Sequence, residues 1–257
     1  MDRRVRLWGR VVEQAHGGPA NAEHVCAVAV AATGVTCAAI TVVLTANPWE
    51  TIHVTDGLAS ELEELSLTLG EGPGVDALAH GPVLVADLMT DDCSARWPAF
   101  APAAVRAGTR AVFALPLRVG AIRLGVMDLY RTRPGELDGG QLTDALLLAD
   151  TACALLLDAA PYDKLDVDGR RPERVVPQHP EVHQATGMIV VQLGVTAAVA
   201  LSRLRAHAYA HDRRLRDVAA DVVARRLRLA DTDAEPGTAH GGDAQGPGAD
   251  GADHDER

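Results

Sequence analysis

The spacing of hydrophobic positions changes several times along the chain, and those changes divide it into elements. Residues 5–33 are rich in Ala and Val and read as helical, with a break at Gly17, Gly18 and Pro19. Residues 35–45 are rich in β-branched side chains and run into Asn47 and Pro48, the pattern of a strand followed by a turn. Residues 51–55 fit a second, short strand. Leu58, Leu62, Leu65 and Leu69 are spaced four, three and four apart, which predicts an amphipathic helix closed by a turn over residues 70–74. Residues 83–86 read as a short apolar strand, 110–119 and 122–131 as a hairpin around Gly120, and 138–160 as a long Leu/Ala helix. Helices flanking a mostly antiparallel sheet predict an α+β sensor-like domain over residues 1–160.

Residues 161–177 are polar, bracketed by prolines and without hydrophobic period, and so predict a linker. Three short helical periods follow. Val182, Ala185, Ile189 and Leu193 form one apolar stripe, ended by Gly194. Thr196 suits an N-cap for a second helix, whose stripe is Ala197, Leu201, Leu204 and Ala208. The segment 212–214 joins it to a third helix packing Leu215, Val218, Ala219, Val222 and Val223. A small all-α three-helix module over 178–229 is expected. The tail, 230–257, holds almost no large apolar side chains and predicts disorder. Gly187 lies inside the first helix of the module, where glycine is unfavourable. Two readings account for it, a close helix crossing or the close approach of a ligand.

Charge sharpens this picture. The chain has a net charge of −11, yet residues 171–230 carry ten Arg against five acids. Residues 1–170 hold 13 basic against 22 acidic side chains, and 231–257 hold one Arg against eight acids. A basic island on an acidic chain predicts a polyanion partner held at one end of the molecule. No apolar run approaches 18 residues and no signal-type segment opens the chain, so a cytoplasmic protein without a membrane partner is expected. Cys26, Cys37, Cys93 and Cys153 are scattered, which suits buried thiols in a reducing compartment better than a disulfide or zinc framework.

Catalytic chemistry has no visible carrier. No nucleophile–base motif is present, and the glycines of residues 70–74 follow a helix, with Pro73 lacking the N–H a phosphate cradle needs. His179/His183 and His207/His211 sit four apart without a third ligand, so neither metal nor cofactor is expected.

Two resemblances follow from motifs. The runs Val182-His-Gln-Ala-Thr-Gly-Met-Ile, Ala200-Leu-Ser-Arg-Leu-Arg-Ala-His-Ala and Arg213-Arg-Leu-Arg-Asp-Val-Ala resemble an ANTAR domain, a three-helix RNA-binding output module of transcription antitermination. Leu69-Gly-Glu-Gly-Pro-Gly-Val-Asp-Ala-Leu, Val83-Leu-Val-Ala-Asp-Leu, Arg96-Trp-Pro-Ala-Phe and Val112-Phe-Ala-Leu-Pro-Leu-Arg resemble a GAF sensor domain of the type fused to ANTAR in actinobacteria.

Together they imply a signal-responsive homodimer with a GAF-like antiparallel sheet, a small-molecule ligand for it, and paired RNA stem-loops as the output partner. The RNA contacts implied are Gln184, the surface at Ala185 and Gly187, and Arg203, Arg205, Arg213, Arg214 and Arg216. Arginine pairs with phosphates and stacks on bases that a loop splays outward. Thr186, Ala206 and Tyr209 stand where the family is commonly basic, and Asp212 where Asn is frequent. Each lowers the charge of that face, so RNA binding weaker than that of a typical member is expected. The alternative is a sensor–adaptor whose basic helices take a protein or duplex DNA.

Overall fold

A computed structural model of the chain describes residues 2–44, 47–159 and 179–229. The expected linker, 161–177, and the expected disordered tail, 230–257, lie outside the described residues. Helices α1 (Arg3–Gln14) and α2 (Ala22–Thr33) come first, then strands β1 (Cys37–Leu44) and β2 (Asn47–Val54). Helices α3 (Gly57–Leu69) and α4 (Pro73–His80), strand β3 (Val83–Val85), and helices α5 (Asp91–Arg96) and α6 (Phe100–Arg106) follow. Strands β4 (Ala111–Val119) and β5 (Ile122–Arg131) and helix α7 (Gly139–Ala159) complete the N-terminal domain, the one expected to be a sensor. Helices α8 (Pro180–Leu193), α9 (Ala197–Ala210) and α10 (Leu215–Val223) form the C-terminal module.

The five strands form one antiparallel sheet in the order β2-β1-β5-β4-β3. This is the expected α+β class, and period-2 alternation explains how the sheet is covered on both faces. Ala38 and Ile40 of β1, Phe113, Leu115 and Leu117 of β4, and Met127 and Leu129 of β5 pack with α1, α2 and α7. Their neighbours Cys37, Ala39, Val112, Ala114, Val126 and Tyr130 join the opposite core with Leu62 of α3, Phe100 of α6 and Trp97 between α5 and α6. Such strands read as continuous apolar runs because both faces are buried.

Several boundaries differ from the sequence reading. Asn47 and Pro48 begin β2 rather than a turn; β2 is an edge strand, where a residue without an N–H is tolerated. The turn expected over residues 70–74 is shorter, because Pro73 opens α4 at the position where proline is favoured. Helices α4, α5 and α6 had no counterpart in the periodicity. Helix α7, interrupted by Asp144 and Asp150, reaches the length and mean apolarity of a membrane span by composition alone. Its Ala145, Leu148, Ala149, Ala152 and Cys153 are buried in the sensor core, as in a core helix.

One polar cluster lies inside the sensor. Ala59, Leu62, Glu63 and Ser66 share the buried face of α3, so Glu63 enters the core beside Asp128 of β5. Tyr130 and Thr41 donate to the two Glu63 oxygens at 2.7 Å each, and Thr41 lies 2.9 Å from the Thr51 hydroxyl. Burial first, and then the Glu63 charge and its hydrogen bond, push the Asp128 carboxyl well above the usual carboxylate range. Burial also raises Glu63, opposed by hydrogen bonds from Tyr130, Thr41, Asp128 and Thr51. Burial therefore favours the protonated form of this carboxyl pair within the fold.

The linkage sign follows from those raised values. The proton stabilises the fold fully below the unfolded carboxyl value, about 4, and its contribution is lost as pH rises through the folded value. Asp128→Asn retains a donor to Glu63 and cannot titrate. The variant is expected to match the parent near pH 4.5 and to exceed it at pH 8 by about 1–3 kcal/mol, or roughly 3–9 °C in Tm. Thermal melts across that range check it; parallel curves for the two proteins would sink the assignment.

Candidate nucleic-acid interface

The module folds as its apolar spacing dictates. Val182, Ala185 and Ile189 of α8, Leu201, Leu204 and Ala208 of α9, and Leu215, Val218, Ala219 and Val222 of α10 form its core. Ala197 is exposed and Ala200 takes the buried position instead, one turn along α9. Gly194 ends α8 in the left-handed conformation at φ 63°, and Thr196 caps α9 by accepting from the Val199 N–H.

This core is continuous with that of the sensor, because α9 and α10 lie against α3. Arg205 Nε donates to the Leu67 carbonyl at 2.8 Å, near the end of α3, where unpaired carbonyls attract cations. Burial lowers the Arg205 pKa. The Leu215 N–H donates to Thr68 Oγ1 at 3.2 Å, and His183 Nε2 lies 3.5 Å from Oε2 of Glu50, a residue with no solvent exposure. A cleft of about 460 Å³ remains between the domains, with Arg213, Arg214 and Arg216 on the module side and Glu61, Glu64 and Arg106 on the sensor side.

The residues expected to contact RNA therefore divide into four groups. Arg205, Arg213, Arg214 and Arg216 gather at the sensor–module boundary. Arg213 donates to Asp221 at 2.8 Å and Arg216 approaches Asp217 at 3.7 Å; Asp221 also accepts from Arg226, and these bonds hold its carboxyl below the usual range. Arg203 is partly exposed on α9. Gln184 and Gly187 are exposed on α8. Ala185 is a correction: it is 0 % exposed, in the module core, and offers no surface.

Gly187 is also not explained by helix packing, since a Cβ built there meets no atom within 4 Å. Of the two readings of that glycine, the crossing has no support. Thr186 turns its hydroxyl back to the Val182 carbonyl at 2.7 Å, while Ala206, Tyr209 and Asp212 are exposed.

Other candidate chemistry is weak. All four cysteines are free and buried, and burial pushes the Cys26 thiol up to about 12 and raises that of Cys37 further, so neither is a ready thiolate. His207 and His211 stack at 4.0 Å, and no group of three metal-binding side chains occurs among the described residues. The buried Glu63–Asp128 pair was not singled out by sequence reading. Its signal was present: an acid on the buried face of the α3 period, and another inside an apolar strand.

Residues 173–223 match the ANTAR domain family, and the chain carries an ANTAR domain there. No curated protein matches the chain. Among solved structures, a GAF domain of an Acinetobacter phosphoenolpyruvate-protein phosphotransferase is similar at 11 % identity and a TM-score of 0.47, covering 65 % of this chain and all of that one (100 %). The GAF domain of the corresponding Coxiella burnetii protein gives 14 % and 0.46, over 61 % of this chain and 94 % of that one. A domain of a putative two-component sensor histidine kinase from Sinorhizobium meliloti gives 16 % and 0.40, over 53 % and 88 %. The chain combines an antiparallel sheet flanked by helices with a C-terminal helical module that matches ANTAR.

Proposed function

We propose that the chain is a cytoplasmic, signal-responsive RNA-binding regulator that acts in transcription antitermination through paired short hairpins. The observation that carries this reading is Arg205 of the ANTAR module bonded to the Leu67 carbonyl of helix α3, beside the exposed Arg213 and Arg214. A polyanion-binding face held against an acidic sensor domain is a face whose availability a signal can change. The signal is a small molecule bound by the sensor. Dimerisation uses the outer faces of α1 and α7, supported by the exposed apolar side chains Val5, Trp8, Val12 and Leu146.

Filter binding of a two-hairpin RNA over a salt series tests the reading. Exchange of Arg213 and Arg214 for Ala removes two phosphate contacts, so affinity is expected to fall about tenfold and the log–log salt slope to flatten by about 1.4–1.8. Sedimentation of the same mixture is expected to give two protomers per RNA. Unchanged affinity in the double variant, or preference for duplex DNA of equal length, would favour the sensor–adaptor alternative.

A further inference from the structure

A second surface of the module lies open, away from the boundary with α3 that holds Arg205. Between α8 and the segment that follows α10 runs a groove of about 760 Å³, lined by Gln184, Gly187, Met188, Val191, Arg225 and Arg228 among others. All its lining residues belong to the module. Val191 is 85 % exposed, on the same α8 stripe as the exposed Gln184 and Gly187. Beyond the Gly187 Cα the space is empty.

The second wall is ordered chain. Gln192 Nε2 donates to the Leu229 carbonyl at 2.5 Å, and the Asp221 carbonyl accepts from the N–H groups of Arg226 and Leu227 at 2.8 and 3.1 Å. Arg225 sits in the left-handed region at φ 58°, directly after the C-cap Ala224, a place where glycine or asparagine is the unstrained choice. A strained arginine at such a position points to a use for its side chain. Arg225 and Arg228 are exposed, and neither side chain has an acidic partner among the described residues, unlike Arg213, Arg216 and Arg226.

We propose that this groove seats an unstacked nucleobase of an RNA loop, which rests on Met188 and Val191 while Arg225 and Arg228 take the flanking phosphates. The inference rests on the RNA-binding reading above and adds residues beyond the family match, which ends at residue 223. An exposed apolar floor accepts the face of a planar base, the Gln184 amide offers donor and acceptor to its edge, and exposed guanidinium groups complement phosphate. A glycine on the rim lets the sugar–phosphate chain approach the helix backbone. A duplex keeps its bases stacked and cannot use such a floor, so the occupant is single-stranded.

Fluorescence anisotropy of the full chain with a fluorescein-labelled two-hairpin RNA, and with the same RNA made abasic through both loops, tests this. Loss of the loop bases is expected to weaken wild-type binding about tenfold. Val191→Asp is expected to weaken binding to the intact RNA comparably and to abolish the difference between the two RNAs. Arg225→Gly combined with Arg228→Ala is expected to lose about tenfold and to flatten the salt slope by about 1.4–1.8. The Arg225→Gly single variant relaxes a left-handed residue, so its Tm should be no lower than that of the parent, which separates lost contact from lost folding. Retained affinity in the groove variants, with affinity lowered by Arg213→Ala/Arg214→Ala, overturns the groove and leaves the RNA reading standing. A Val191→Asp protein that loses only self-association assigns the groove to a second copy and likewise overturns it. Failure of the wild type to bind either RNA overturns both.

Discussion

Gly125→Ala is expected to abolish stable folding, although it adds one methyl group at a strand position. Gly125 lies in β5 and pairs with Val42 on one side and Leu117 on the other. A Cβ there would stand 2.1 Å from the Thr41 carbonyl oxygen and 2.8 Å from the Val42 Cα. Both are backbone atoms of a central strand, so no side-chain rotation relieves the clash; β1 itself must move. That movement carries Thr41 away from Thr51 and Glu63, leaving the buried carboxyl pair short of donors. Overpacking combined with a disrupted buried network places the loss above about 4 kcal/mol, a large part of the 5–15 kcal/mol that stabilises a domain.

Gly187→Ala provides the contrast. The built Cβ meets nothing, the site is helical, and the expected change is a gain of about 1 kcal/mol. Paired denaturation curves check both; a Gly125→Ala protein that melts like its parent would show that β1 and β5 tolerate a wider separation than the register implies.

These two glycines illustrate what the sequence discloses. Periodicity was sufficient for the β4–β5 hairpin at Gly120, for α3 and α7, and for the three module helices with their Gly194 and Thr196 caps, because each rests on contacts close in sequence. It missed α4, α5 and α6, which span eight, six and seven residues, too few for a 3.6-residue period to repeat convincingly. The candidate site was legible as a set of residue types and not as a surface. Nothing local distinguishes Arg205, pinned on α3, from Arg203 two residues earlier. Ala185 and Gly187 look alike as small residues in one helix, yet one fills the core and the other faces open space. Such differences arise from packing between α3, α8, α9 and α10, which no window of the chain contains.

That packing yields the prediction of largest functional effect: substitutions on α3, which leave every module residue unchanged, should strengthen RNA binding. Leu65 and Thr68 lie on α3 and line the cleft that Arg213, Arg214 and Arg216 share, and Thr68 accepts the Leu215 N–H. Exchanging both for lysine places positive charge against arginines and removes the acceptor. The neutral Leu215 N–H bond contributes about 0.5–1.5 kcal/mol, and its loss together with repulsion between lysines and arginines shifts a mostly closed population towards an open one. With an open fraction of a few per cent in the parent, apparent affinity for the two-hairpin RNA should rise roughly thirtyfold. Small-angle scattering should report a larger radius of gyration in the same variant. The added lysines could attract RNA by themselves, and Arg205→Ala in the released background distinguishes the two causes. If release of Arg205 is the cause, that third substitution removes much of the gain. An unchanged radius, or a gain indifferent to Arg205, would mean that α3 supports the module without controlling it.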